Sequence, residues 1–249
     1  MIYSFFLWRR GFREDNRINY CLLLIGFVFH TVAMVKRGFS LERCPVNNLY
    51  EATMFVMWTI VATYLLIGLW SRLRYLGAFA SPILFVVGVF ALMPALDAEK
   101  VFSGGLGSLH AALILLAYGA FGLGCVAGMM YVTQEHDLKF HKLRAVFSRM
   151  PSMERLEKVM GRLLMGGFIL LTLGLSLSPI LLKQKFDVYF TNDPKLIWSI
   201  FVWVIYLTLI LLHSRFSQTG RRFAWGAIGS FGFVLLTFWG VNLLSPAHN

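Results

Sequence analysis

The chain has 249 residues, 58% of them hydrophobic and 14% charged, with a mean hydropathy of +0.68. Soluble domains carry about a quarter charged residues, so this composition excludes an ordinary soluble globular protein. The formal net charge of +11 reads as loop placement around a bilayer. No basic stretch outside the apolar runs is interleaved with aromatics, and nucleic acid is not expected as a partner.

The chain opens with MIYSFFLW, residues 1–8, apolar but too short to span. No positive region precedes it, so it is not a signal peptide. It reads either as the remnant of a further helix or as an interfacial lead-in. Residues 1–17 are set apart as a cytoplasmic segment, and 18–249 form the transmembrane domain.

Seven stretches free of Asp, Glu, Lys and Arg follow, at 18–35, 52–70, 75–96, 111–134, 163–182, 196–212 and 223–244. Each approximates the roughly 17 to 25 residues that cross a bilayer core. Helices are expected, since each closes its own backbone hydrogen bonds, and the apolar runs are too continuous for barrel strands. The predicted fold is all-α and polytopic, with about seven transmembrane helices. With the N-terminus in the cytoplasm, 16 Lys and Arg fall on the inner side and 7 on the outer. That bias predicts N-terminus in and C-terminus out. Loops 36–51, 97–110, 183–195 and the tail 245–249 then face outward.

Pro82 and Pro179 lie within spans and are expected to kink them. Gly124 and Gly128 form a small-xxx-small pattern that permits close helix contact. In the longer inner connection, 135–162, Pro151 breaks the chain, and Ser152 is a plausible N-cap with Glu154 in the following first turn. Cys21, Cys44 and Cys125 are far apart in sequence, without CxxC or CxxCH spacing, so this is not itself a c-type cytochrome.

Ionisable residues at membrane depth point to function. Here they are mostly histidines at span borders. His110 begins the fourth span at its outer end, and His248 lies in the outer tail. His213 ends the sixth span on the inner side, and His30 sits in the outer half of the first. His110 and His248 share a face with the loop FDVYFTNDPK, 186–195. Two neutral imidazoles can ligate one iron axially, and aromatic rings can pack on a flat macrocycle. Asp187 or Asp193 could orient a ligand imidazole through its second nitrogen.

Five blocks carry a family resemblance: CPVNNLYEATMFVMW (44–58), SLHAALILLAYGAF (108–121), MPSMERLEKVMGRLLMGGFILLTLGL (150–175), DPKLIWSIFVWVIYLTLILLHSR (193–215) and FWGVNLLSPAH (238–248). In this order they resemble the CcsA/ResC-type cytochrome c assembly proteins, within the haem-handling membrane superfamily that includes HemX-like proteins. The resemblance covers roughly residues 40 to 249.

The resemblance implies a multi-pass protein of the bacterial cytoplasmic (inner) membrane. Such a protein carries haem b as a transported substrate and presents it outside to apocytochrome c. The family holds haem at an outer tryptophan-rich "WWD" segment flanked by two histidines, which His110 and His248 match as axial iron ligands. His213 matches a histidine that binds haem entering from the inner side. Its counterpart in the family lies on a CcsB/ResB-like partner, which this chain is then expected to need. Together the two halves would make a haem-ligating synthetase.

The WWD segment departs from the family pattern W-G-x-x-W-x-W-D-P-K. Phe186, Phe190 and Asn192 stand where the family has tryptophan, while Asp193, Pro194 and Lys195 are kept. Phe186, Tyr189 and Phe190 still offer rings. The degenerate segment leaves an alternative open, a HemX-like accessory or regulatory membrane protein without ligation activity.

Overall fold

The structure is a computed structural model that describes residues 2–9, 17–40, 49–69, 73–92, 105–139, 151–187, 194–216 and 219–244. Among these residues there are nine helices and no strand: α1 (Ile2–Arg9), α2 (Arg17–Ser40), α3 (Leu49–Ile67), α4 (Leu76–Ala91), α5 (Gly105–Lys139), α6 (Met153–Ser176), α7 (Ser178–Phe186), α8 (Pro194–Arg215) and α9 (Arg221–Leu244). The chain is an all-α polytopic membrane protein. Segments 17–40, 50–67, 105–139, 153–184 and 196–215 are long and apolar enough to cross a bilayer, and α4 is a shorter apolar helix of 16 residues. The 24-residue α9 contains the last charge-free stretch.

Local chemistry sets several of the ends. The Ser152 hydroxyl accepts the Arg155 N–H at 3.3 Å, capping α6 as its sequence predicts. Glu154, in the first turn, accepts from Lys158 Nζ at 2.6 Å. The stretch read as one span at 163–182 divides at Leu177. Pro179 stands in the first turn of α7, where its missing N–H costs nothing, and α6 ends just before it. Helix α7 closes on Asp187 at φ 57°.

Helix α5 is the centre of the bundle. It packs along α6 and α9 and against α3. Its small residues allow this, and Gly124 and Gly128 serve two different neighbours. A Cβ at Gly124 would meet Leu164 of α6 at 3.1 Å, and one at Gly128 would meet the Ala224 carbonyl of α9 at 3.0 Å. Deeper in, Phe121 of α5 stacks on Tyr206 of α8 with ring centroids 3.5 Å apart.

Helix α2 lies at the edge and turns Leu22, Ile25, Val28, Phe29 and Val32 outward. Three polar rungs tie it to α3: Tyr20 Oη to the Leu65 carbonyl at 2.9 Å, Trp58 Nε1 to Thr31 Oγ1 at 2.8 Å, and Arg37 Nε to Glu51 Oε1 at 2.8 Å. The last rung corrects the sequence reading. Arg37 and Glu51 are not loop residues; they lie inside α2 and α3, and the Glu51 side chain is 1% exposed. The charge of each hid it from a search for apolar runs.

Candidate functional site

His110 stands in the second turn of α5. Its Nδ1 lies 2.8 Å from the carbonyl oxygen of Gly174 on α6. A carbonyl only accepts, so Nδ1 carries the proton and donates it. That bond fixes the plane of the ring. Metal-binding histidines are commonly oriented this way, by a bond from the second ring nitrogen to a carbonyl. The Gly174 carbonyl is within reach because α5 and α6 come close there. A Cβ on Gly174 would lie 2.8 Å from Ile114 Cγ1. The residue 64 positions away that orients His110 contributes only backbone, so no side-chain pattern announced it. The exposed Asp187 carboxylate pairs with Lys183 at 2.5 Å, and the group on His110 Nδ1 is the Gly174 carbonyl.

His213 stands in the last turn of α8 at the opposite end of α6. Its ring stacks on Phe223 of α9, with centroids 3.9 Å apart and planes 10° apart. Its Nδ1 lies 4.0 Å from Glu157 Oε1. The other oxygen of Glu157 accepts the Gly220 N–H at 3.0 Å, so the carboxylate is fixed before it meets the imidazole. Gly220 makes that bond from φ +68°, a conformation suited to glycine. On its far side the ring faces Gly161, where a Cβ would lie 3.5 Å from Nε2. Glu157 and Phe223 were not singled out from sequence. The clue for Glu157 was an acid on an amphipathic stretch next to an apolar run.

The two histidines therefore stand beside Gly174 and Glu157, seventeen residues apart on one helix. That is about 25 Å along the axis, close to the thickness of the hydrocarbon core, about 30 Å. Of the other residues expected at the outer site, Phe186 is the last residue of α7. Tyr189, Phe190, Asp193 and His248 lie outside the described residues. His30 lies on α2, away from both centres.

A family model described as cytochrome C assembly protein matches residues 46–248. The chain is 26% identical over 251 residues to the cytochrome c biogenesis protein CcsA of Guillardia theta, covering 91% of this chain and 83% of that protein. Against the CcsA of Prochlorococcus marinus subsp. pastoris it is 26% identical over 260 residues, 93% of this chain and 82% of the relative. It is also 29% identical over 198 residues to Protein HemX of Brevibacillus brevis, 78% of this chain and 73% of the relative.

Proposed function

We propose, because the chain belongs to the cytochrome c assembly protein family, that it is a haem-handling subunit of cytochrome c maturation. It takes haem b as cargo and presents it on the outer face of a bacterial cytoplasmic membrane for attachment to apocytochrome c. The observation that supports this reading is the His110 ring, oriented by the bond from its Nδ1 to the Gly174 carbonyl. His248 is the second axial ligand. Phe186, Tyr189 and Phe190 supply rings against the macrocycle, and Asp193 borders them.

His213 serves haem at the inner face. The Glu157 carboxylate stands 4.0 Å from its Nδ1, and Phe223 stacks on the ring. One imidazole gives one axial ligand, and a CcsB/ResB-like protein supplies the other. The separation of about 25 Å along α6 keeps His110 and His213 from sharing one iron, so this reading takes two separate haem positions.

Two imidazoles on one iron give a low-spin spectrum. The test is purification of the full chain with its CcsB/ResB-like partner, followed by a haem spectrum. His110→Ala or His248→Ala should lose haem or turn high-spin, and added imidazole should restore the low-spin form in part. A double alanine variant with the parent's haem content and spectrum would overturn the reading.

The loss of three tryptophans at Phe186, Phe190 and Asn192 favours a second reading, a HemX-like accessory protein that holds haem without ligating it. Restoration of c-type cytochromes in a strain lacking its own assembly protein separates the two, because an accessory protein restores none.

A further inference from the structure

The α2–α3 hairpin contains a cavity that neither histidine centre uses. Two of its rungs fix the register. Arg37 meets Glu51 and Thr31 meets Trp58, each at 2.8 Å. Between those rungs Met34 falls opposite Met54. His30 lies one helical turn before Met34 and therefore on the same face of α2. All three line one cavity of about 40 Å³, together with Arg37, Tyr50 and Glu51. His30 Nε2 is buried and has no hydrogen-bond partner among the described residues.

Size decides the class of occupant first. Pockets that hold organic ligands run to about 300–1,000 Å³. This cavity admits a few water-sized groups, so it excludes a porphyrin and admits an ion. Donor chemistry decides next. An imidazole nitrogen and two thioethers are neutral and soft. Hard cations such as Ca²⁺ need several oxygens, and the one carboxylate here, Glu51, is already bound to Arg37. That pair also carries no net charge, so the guanidinium does not bar a monovalent cation. Zn²⁺ takes thiolate, imidazole or carboxylate, and no group of three His, Cys, Asp or Glu is assembled among the described residues. Thioether and imidazole together select Cu(I).

We propose that His30, Met34 and Met54 form a binding site for Cu(I) at the α2–α3 hairpin. Binding is the whole of the proposal, with no change of oxidation state. The site stands apart from the haem reading, since none of its ligands is assigned to haem.

The test uses the full-length protein in detergent, with Cys21→Ser, Cys44→Ser and Cys125→Ala to remove competing thiolates. Cu(I) is titrated anaerobically against bicinchoninate, with Ag(I) in parallel. One equivalent should be held against the chelator, and X-ray absorption should show sulfur neighbours. Met34→Leu/Met54→Leu keeps the side-chain volume, so the fold is retained while the sulfurs go. Retention should fall at least tenfold in this variant and in His30→Gln, and neither Ca²⁺ nor Zn²⁺ should displace the ion. Haem content measured on the same samples should not change in the methionine variant, which keeps failure of this site distinct from failure of the haem reading. The proposal is overturned if the cysteine-free chain holds no Cu(I) against the chelator, in which case water completes His30. It is equally overturned if the methionine variant binds as the parent does.

Discussion

Gly174→Ala tests whether His110 is oriented by the close approach of α5 and α6. The new methyl would sit 2.8 Å from Ile114 Cγ1 and 3.5 Å from the Ile114 backbone nitrogen. The first distance is below any stable carbon contact, so the helices must part by roughly half an ångström to an ångström to restore ordinary van der Waals spacing. Helix propensity favours the change by about 1 kcal/mol. Overpacking opposes it by about 1–3 kcal/mol, and the stretched His110–Gly174 bond forfeits about 1 kcal/mol more. The sum is destabilising. The larger effect falls on function, because losing the group that orients a metal-binding histidine costs about 10–100-fold in affinity. Haem titration of the purified complex, read at the Soret band, measures that loss. Ile114→Ala removes the clashing carbon, so the Gly174→Ala/Ile114→Ala pair should recover most of the affinity. If Gly174→Ala lowers the melting temperature yet binds haem as tightly as the parent, the argument that this carbonyl prepares His110 is wrong.

Gly220→Ala puts a β-carbon on a backbone at φ +68°, at a cost of about 1–2 kcal/mol, and crowds Tyr131 Oη at 3.0 Å. Thermal unfolding should show the loss, with Gly220→Asn milder. Glu157→Ala strips the Gly220 N–H of its acceptor and should lower stability by about 1–3 kcal/mol. Glu157→Gln keeps an acceptor and should unfold close to the parent while holding less haem at the inner face. Reporter fusions after Asn249 and within 140–150 should be active outside and inside respectively, as the Lys and Arg bias requires. A cytoplasmic reporter active at Asn249 would reverse that orientation.

The spans were legible because a bilayer penalises charge, and charge-free runs of the right length mark what crosses. Ser152 and Pro179 were legible for local reasons, as a hydroxyl one residue before a helix and a ring that cannot continue one. Uncharged runs understate a helix where two charges neutralise each other. Arg37 and Glu51 each look like a loop residue alone, and only their pairing across the hairpin lets both enter helices. His110 and His213 were legible as rare ionisable groups at span borders. Their supports were not. The Gly174 carbonyl is backbone, present at every residue, and it becomes special only when α5 lies against α6. Glu157 is one of several acids on a basic amphipathic stretch until the Gly220 turn reaches it.

Helix α2 is held at the edge of the bundle by Tyr20, Thr31 and Arg37. In hydrocarbon an apolar face gains little by leaving lipid for a neighbouring helix, so packing alone does not fix the azimuth of α2 about its long axis. The three bonds do, because they sit at three depths and all point to α3. Cutting the Thr31 rung should leave the helix free to swivel between its two remaining pins. Cutting Arg37 as well leaves Tyr20 as the last of the three rungs, and the outer half should roll more freely. A substitution that cuts one of these rungs should therefore change which side of α2 meets lipid, and leave the crossing itself intact.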